Sequence, residues 1–284
     1  MALTINTNLS SLIVQKNLNS ATTSLNSAIE RMSTGYKINH AKDNAAGYSI
    51  AAGWDAKLSS LSVASENASM GSDLLQTAEE NYGLITDHLQ RVRDLTEQAA
   101  NGTYGTDSLA AIKSEITARL NEINRIATNC EYNGISLMKD NGTAINIQVG
   151  LTKDGQIPLD ASLFAAASVE KLFAAGGTDA TIEKVATNCS DSSKAADQLA
   201  TIDAAIANIS SRVTNIGAVQ NRLDSAISSI NVQTENLSSS LSTIRDADVA
   251  EESSNYIKAQ ILQQASATLL ATANQSPSIA LSLI

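Results

Sequence analysis

LLQTAEENYGLITDHLQRVRDLTEQAA, residues 74–100, carries apolar side chains at Leu75, Ala78, Tyr82, Ile85, Leu89, Val92 and Ala99. The steps alternate three and four, which keeps one seam on one face of a helix that pairs with another helix. Upstream the same character reaches back to about Asp43, and no proline occurs before Pro158. An unbroken helix over 43–100 is therefore predicted, about 85 Å long at ~1.5 Å per residue. NGTYGTD (101–107) then reads as a turn, with Asp107 or Ser108 as the cap of a third helix. That helix shows one face through Leu109, Ile112, Ile116, Leu120 and Ile123, and ends before Asn133-Gly134.

Working outward, residues 4–32 repeat Leu18, Leu25, Ile29 and Met32 on one helical face, and Gly35 stops them. Residues 33–42 read as a linker. AINIQVG (144–150) alternates apolar and polar residues, predicting a strand of a hairpin turning at Lys153-Asp154-Gly155. Residues 161–175 read as a short Ala-rich helix broken by Gly176-Gly177, and 178–193 as polar and weakly patterned. Helical periodicity resumes near 194 through Leu223, Ile227, Ile230, Thr234, Leu237, Leu241 and Ile244. Residues 245–248 mark a joint. A last helix is predicted over 249–273, with Ile257, Ile261, Ala265 and Leu269 on one face and Pro277 after its end.

Composition narrows the class. Aromatic residues make up 3% of the 284-residue chain, so its core is assigned to Leu, Ile, Val and Ala in thin helical layers. A net charge of -10 argues against general nucleic-acid binding. No apolar run is long enough for a membrane span, and MALTINTNLSS does not read as a cleavable secretory signal. Cys130 and Cys189 are too few for a disulfide framework or zinc site. The predicted fold is mostly α: an elongated antiparallel helical bundle or coiled coil of N- and C-terminal helices with a small β-hairpin region. The terminal stripes are narrow and rich in Ala and Ser, which favours burial against further copies of the chain.

Several long segments resemble bacterial flagellin, in the same order: STGYKINHAKDNAAGYSI (33–50), NASMGSDLLQTAE (67–79), LQRVRDL (89–95), LNEINRIA (120–127), EYNGISLM (131–138) and IQVG (147–150). Near the other end the similarity continues through IGAVQNRLDSAISSINVQTENLS (216–238), IRDADVAEE (244–252) and KAQILQQASATLLATANQSP (258–277). The resemblance covers about residues 1–150 and 194–284. Departures include Tyr36 where Leu is usual, Lys37 for Arg, His40 for a small polar residue, Glu80 for Gly, SSSLS (238–242) and the tail SIALSLI (278–284).

The resemblance implies a structural subunit, secreted and polymerised into the extracellular bacterial flagellar filament for motility. The alternatives are a hook–filament junction protein, or a soluble coiled-coil adaptor or adhesin. It implies an inner-tube helix and linker over 1–42, the first part of a rod domain over 43–150 (long helix, turn, second helix, hairpin), a short variable surface region over 151–193, a rod helix over 194–245 and an inner-tube helix over 246–284. Polymerisation residues would be Leu9, Leu12, Leu18, Leu25, Ile29, Ile257, Ile261, Leu262 and Leu269. The implied partners are other copies of the chain, the flagellar export apparatus and an export chaperone, the filament cap and hook–filament junction proteins, with no nucleic acid and no membrane. Animal toll-like receptor 5 would bind the monomer on a receptor or intersubunit surface at Gln90, Arg91, Arg93, Leu95 and Glu115.

No enzyme is predicted, nor any cofactor, metal or catalytic residue. His40 with Asp43 is read as a solvated linker pair, and no phosphate-binding loop or His-Glu-x-x-His motif occurs. Trp54 is read as packing near the joint. The sequons at Asn141 and Asn208 are read as chance, and serines and threonines of 151–193 as better sugar acceptors.

Overall fold

A computed structural model describes residues 8–139, 142, 144–174 and 181–281, with the backbone alone for 276–281. Asn141, Gly176-Gly177 and the end of the tail thus lie outside the described residues. The elements are α1 (Leu9–Thr34), α2 (Ala45–Ala100), α3 (Thr106–Asn129), β1 (Glu131–Tyr132), β2 (Ile135–Ser136), β3 (Ile145–Gln148), β4 (Gln156–Leu159), a 3-10 turn (Ala161–Phe164), α4 (Val169–Phe173), α5 (Ile182–Cys189), α6 (Ala195–Arg245) and α7 (Val249–Leu281). They form two compact units, residues 60–233 and residues 1–59 with 234–284. The fold is mostly helical, with small antiparallel hairpins.

In the unit of residues 60–233, the seam read from 74–100 is the core. Leu75, Ala78, Tyr82, Ile85, Leu89, Val92 and Ala99 are fully buried. Ile112, Ile116, Leu120 and Ile123 of α3 join them, as do Ile202, Ile209, Ile216 and Leu223 of α6 at seven-residue steps. The α2–α3 turn differs in its cap: helix starts at Thr106 after Gly105, with no side-chain cap. Asn133-Gly134 makes a tight turn between β1 and β2, with φ of 48° and 79°, the left-handed pair that such a turn demands. The hairpin of β3 and β4 is in register Ile145↔Leu159 and Ile147↔Ile157. Ile147 rests over Gly71, where a Cβ would stand 3.1 Å from it.

The segment after the hairpin departs furthest from the sequence reading. The 161–175 helix is split into a 3-10 turn and α4, and α5 occupies part of the stretch read as polar and weakly patterned. Leu163, Phe164, Val169, Leu172, Phe173, Val185 and Cys189 enter the same core as the long helices. Both phenylalanines of the chain are spent here, filling volume that Leu and Ile on straight helices leave open. Polar side chains dock the segment. The Tyr82 hydroxyl donates to Leu163 O at 2.9 Å, Arg212 Nη1 donates to Ala165 O at 2.7 Å, and Val169 N–H donates to Asn124 Oδ1 at 2.8 Å. Burial raises the Tyr82 phenol above its ordinary range, against the opposing pull of Arg212.

In the other unit α1 packs on α7 through small residues. Ala21 and Ala28 are buried against Ala259 and Ser266, with Glu252 one further seven-residue step back. Arg31 meets the buried Glu252 carboxylate at 3.1 Å. Gly35 ends α1 with φ of 75° and donates to Arg31 O, the left-handed stop that glycine allows. The joint is tied by main-chain bonds, Lys37 N to Arg245 O at 2.6 Å and Ala247 N to Gly35 O at 2.8 Å. Arg245 lies 4.0 Å over the Tyr36 ring and reaches Asp55 at 2.7 Å. Asp248 caps α7 through Ala250 N–H at 2.8 Å.

The predicted end of α7 at 273 is corrected: the helix passes Pro277 and reaches Leu281. Proline cannot donate to the carbonyl four residues back, which is that of Ala273. That carbonyl instead accepts from Asn8 Nδ2 at 2.7 Å, so the main consequence of an interior proline is met from α1.

Candidate functional site

Ile257, Ile261 and Leu269 of α7 are all exposed: the first two lie on the side away from α1, and Leu269 stands at the rim of the groove between the helices. Their exposures are 54%, 59% and 56%, and Leu262 beside them is 48% exposed. On α1, Leu9, Leu12 and Ile29 are likewise exposed and Leu18 and Leu25 half-buried. Ile13, absent from the sequence reading, is 53% exposed and belongs to the same outward set. Between the helices lies a groove of about 780 Å³ lined by Ala21, Ala28, Leu262 and Leu269. The signal that could have revealed this arrangement is the seven-residue spacing of Glu252, Ala259 and Ser266. Small side chains allow close approach within the chain, and large ones are left for another surface.

The second candidate surface joins α2 and α3. Arg91 Nε donates to Glu115 Oε1 at 2.9 Å, which raises the guanidinium pKa above its ordinary value. Both side chains are exposed, and Arg119 stands 3.8 Å from the same carboxylate. Gln90 is exposed next to them. Arg93 turns the other way, to Asp203 of α6 at 2.7 Å and Glu97 at 3.4 Å. Leu95 does not belong to this surface: it is 2% exposed and lies in the core. Four residues advance a helix by slightly more than one turn, which here carries Leu95 from the edge marked by Arg91 into the buried seam.

The histidines build no reactive pair. His40 donates its backbone N–H to Asp43, while its ring sits 2.8 Å from Glu30. The amides of His40 first, then Asn39, hold the Asp43 carboxyl below its ordinary value. His88 Nδ1 is 3.4 Å from Arg119. Trp54 is half-buried, and Asn208 is exposed on α6 with its Oδ1 facing Arg212 Nε at 3.3 Å. Among the described residues no cluster of His, Cys, Asp or Glu could hold a metal ion, and no helix is long and apolar enough to cross a membrane.

Cys130 and Cys189 are free and buried. Cys130 caps the C-terminal end of α3, whereas the Cys189 thiol hydrogen-bonds to Thr96 of α2. Burial pushes the Cys130 thiol up to about 11 and Cys189 in the same direction. At pH 8 both thiols should therefore resist alkylation in the folded chain and react after denaturation, with no mass change on reduction alone. Fast labelling of the native chain would contradict this.

A helical core with exposed aliphatic faces on both terminal helices is the arrangement of a subunit able to pack against further copies of itself. The description "Bacterial flagellin N-terminal helical region" matches residues 5–143, and "Bacterial flagellin C-terminal helical region" matches residues 199–284. The chain belongs to the bacterial flagellin family. Flagellin FlaB2 of Treponema pallidum is 34% identical over 284 residues, covering 99% of each chain. A flagellin of Xenorhabdus nematophila is 38% identical over 315 residues, covering 100% of each. A solved flagellar hook-associated protein chain from Vibrio parahaemolyticus shares the fold, with a TM-score of 0.62 at 14% identity, over 72% of this chain and 100% of that one. As a flagellin, the protein is a structural subunit of the extracellular flagellar filament and not an enzyme. It serves motility and polymerises with itself.

Proposed function

We propose that polymerisation proceeds by burying the outward faces of α1 and α7 against neighbouring copies. Leu9, Leu12, Ile29, Ile257, Ile261, Leu262 and Leu269 supply the large side chains, with half-buried Leu18 and Leu25 beside them. The observation that carries this reading is the division of each terminal helix into a small-residue seam, facing the chain's own partner helix, and an exposed aliphatic face. Each Leu or Ile moved from water into such an interface contributes roughly 1.5–3 kcal/mol. Residues 1–42 and 246–284 would then form the inner tube, residues 43–150 and 194–245 the surrounding shell, and residues 151–193 the outermost part. Subunits would reach the filament tip through the flagellar export apparatus, escorted by an export chaperone and placed beneath the filament cap. Electron microscopy of the purified chain should show long filaments at high concentration, and a chain lacking residues 249–284 should stay dispersed. Filaments formed equally well by the truncated chain would end this reading.

The α2–α3 surface fits recognition of the monomer by toll-like receptor 5. Gln90, Arg91 and Glu115 form its exposed patch, with Arg93 at the margin and Leu95 acting only by packing beneath. The support is the exposed Arg91–Glu115 pair, which presents a donor and an acceptor side by side. Arg91→Ala and Glu115→Ala should each weaken receptor binding to the monomer about tenfold, roughly 1.4 kcal/mol. Binding unchanged in both variants would remove the receptor role and leave packing alone.

A further inference from the structure

We propose that Asn101 is a self-modifying site, converting to aspartate and isoaspartate through attack by its own chain. Asn101-Gly102 lies just past the end of α2 in an exposed stretch. Glycine after asparagine leaves the attacking nitrogen unshielded, and a Cβ at Gly102 would meet nothing within 4 Å. Gly102 N–H has no hydrogen-bond partner among the described residues. The Asn101 carbonyl oxygen Oδ1 accepts from Thr103 N–H at 3.3 Å. That donor makes Cγ more electrophilic and stands where negative charge develops in the tetrahedral intermediate.

The step is balanced within the chain and water. The Gly102 nitrogen forms a bond to Asn101 Cγ, and the Cγ–Nδ2 bond breaks. The amide proton leaves with Nδ2 as ammonia. Water then opens the cyclic imide at either carbonyl.

Two similar dipeptides among the described residues lack this arrangement. Asn133-Gly134 sits in a turn held at φ of 48° and 79° between the paired residues Tyr132 and Ile135. Swinging Asn133 into the attacking geometry would break that pairing, and among the described residues no donor reaches its Oδ1. At Asp154-Gly155, where aspartate would isomerise by the same ring, Gly155 N–H is already bonded to Thr152 O at 3.0 Å. Asn141, of Asn141-Gly142, lies outside the described residues; among the described dipeptides of this kind the fold favours Asn101. Its product places a carboxylate at the C-terminal end of α2, where the helix dipole disfavours negative charge. Older subunits would thus carry one additional negative charge and a loosened α2–α3 turn.

The full-length folded monomer is incubated at pH 8 and its peptides followed by mass spectrometry, each conversion adding about one dalton. Asn101 should convert at least about fivefold faster than Asn133 in the folded chain, and at a similar rate in urea, where the turn at 133–134 no longer constrains attack. Gly102→Ala should slow the Asn101 conversion by about an order of magnitude. Equal rates in the folded chain, faster reaction at Asn133, or an Asn101 rate insensitive to Gly102→Ala would each overturn the proposal.

Discussion

Subunits carrying Leu262→Asp or Leu269→Asp should form no filaments, while the unit of residues 60–233 keeps its wild-type melting behaviour. Both leucines are about half exposed in the single chain, at 48% and 56%, so a carboxylate there stays hydrated and costs the monomer little. In a polymer that covers this face, the same carboxylate loses its water without gaining a partner, at a cost of several kcal/mol per subunit. The burial term of roughly 1.5–3 kcal/mol per leucine is lost as well. Both penalties recur at every subunit contact, so elongation stops rather than slows. Leu262→Ala, which removes only the burial term, should raise the concentration needed for assembly and still permit filaments. Sedimentation and electron microscopy read the outcome, with circular dichroism for the core. Normal filaments from either aspartate variant would show that this face is not buried in the polymer.

Arg212→Ala should destabilise the unit of residues 60–233 by about 2–4 kcal/mol, a large effect for one side chain. The guanidinium holds Ala165 O at 2.7 Å and stands 5.8 Å over the Tyr82 ring. Its removal leaves a poorly solvated carbonyl without a donor and takes away the cation above the ring. Tyr82→Phe removes only the bond to Leu163 O and should cost about 1–2 kcal/mol. The two residues share a cluster, so the double variant should lose less than the sum of the singles. Urea titration measures both, with an unchanged slope indicating that the unfolded state is the same. Amide exchange should rise first in residues 156–174. An Arg212→Ala chain as stable as wild type would mean that apolar burial alone docks this segment.

The long helices were legible because their signal is local and repeated. Leu75 to Ala99 on α2 and Ile112 to Ile123 on α3 each specify a face without reference to anything distant. The hairpin around 153–155 was legible from alternation and its turn residues. The segment from 161 to 189 was not. Its apolar residues come in short runs around breakers, and only contact with Tyr82, Asn124 and Arg212 gives those runs a buried side. Leu95, placed on the receptor surface by resemblance, was out of reach for a related reason: a position in a motif does not say whether its side chain dips beneath its neighbours. The extension of α7 through Pro277 was hidden because the partner of the Ala273 carbonyl, Asn8, is supplied from the other end of the chain.

By itself the sequence determined that this protein is helical, that its ends carry amphipathic helices and that it is a flagellin. Periodicity and long motifs are properties of the linear order of residues. Tertiary structure alone decided which face of each terminal helix is spent inside the chain. Ile257, Ile261 and Leu269 recur at helical spacing in any reading, but α1 and α7 bury small side chains against each other. Ala21, Ala28, Ala259 and Ser266 take that seam. The choice rests on the distance at which two backbones can pack, a quantity that exists only once both helices are side by side, and it leaves the large aliphatic side chains free for other copies.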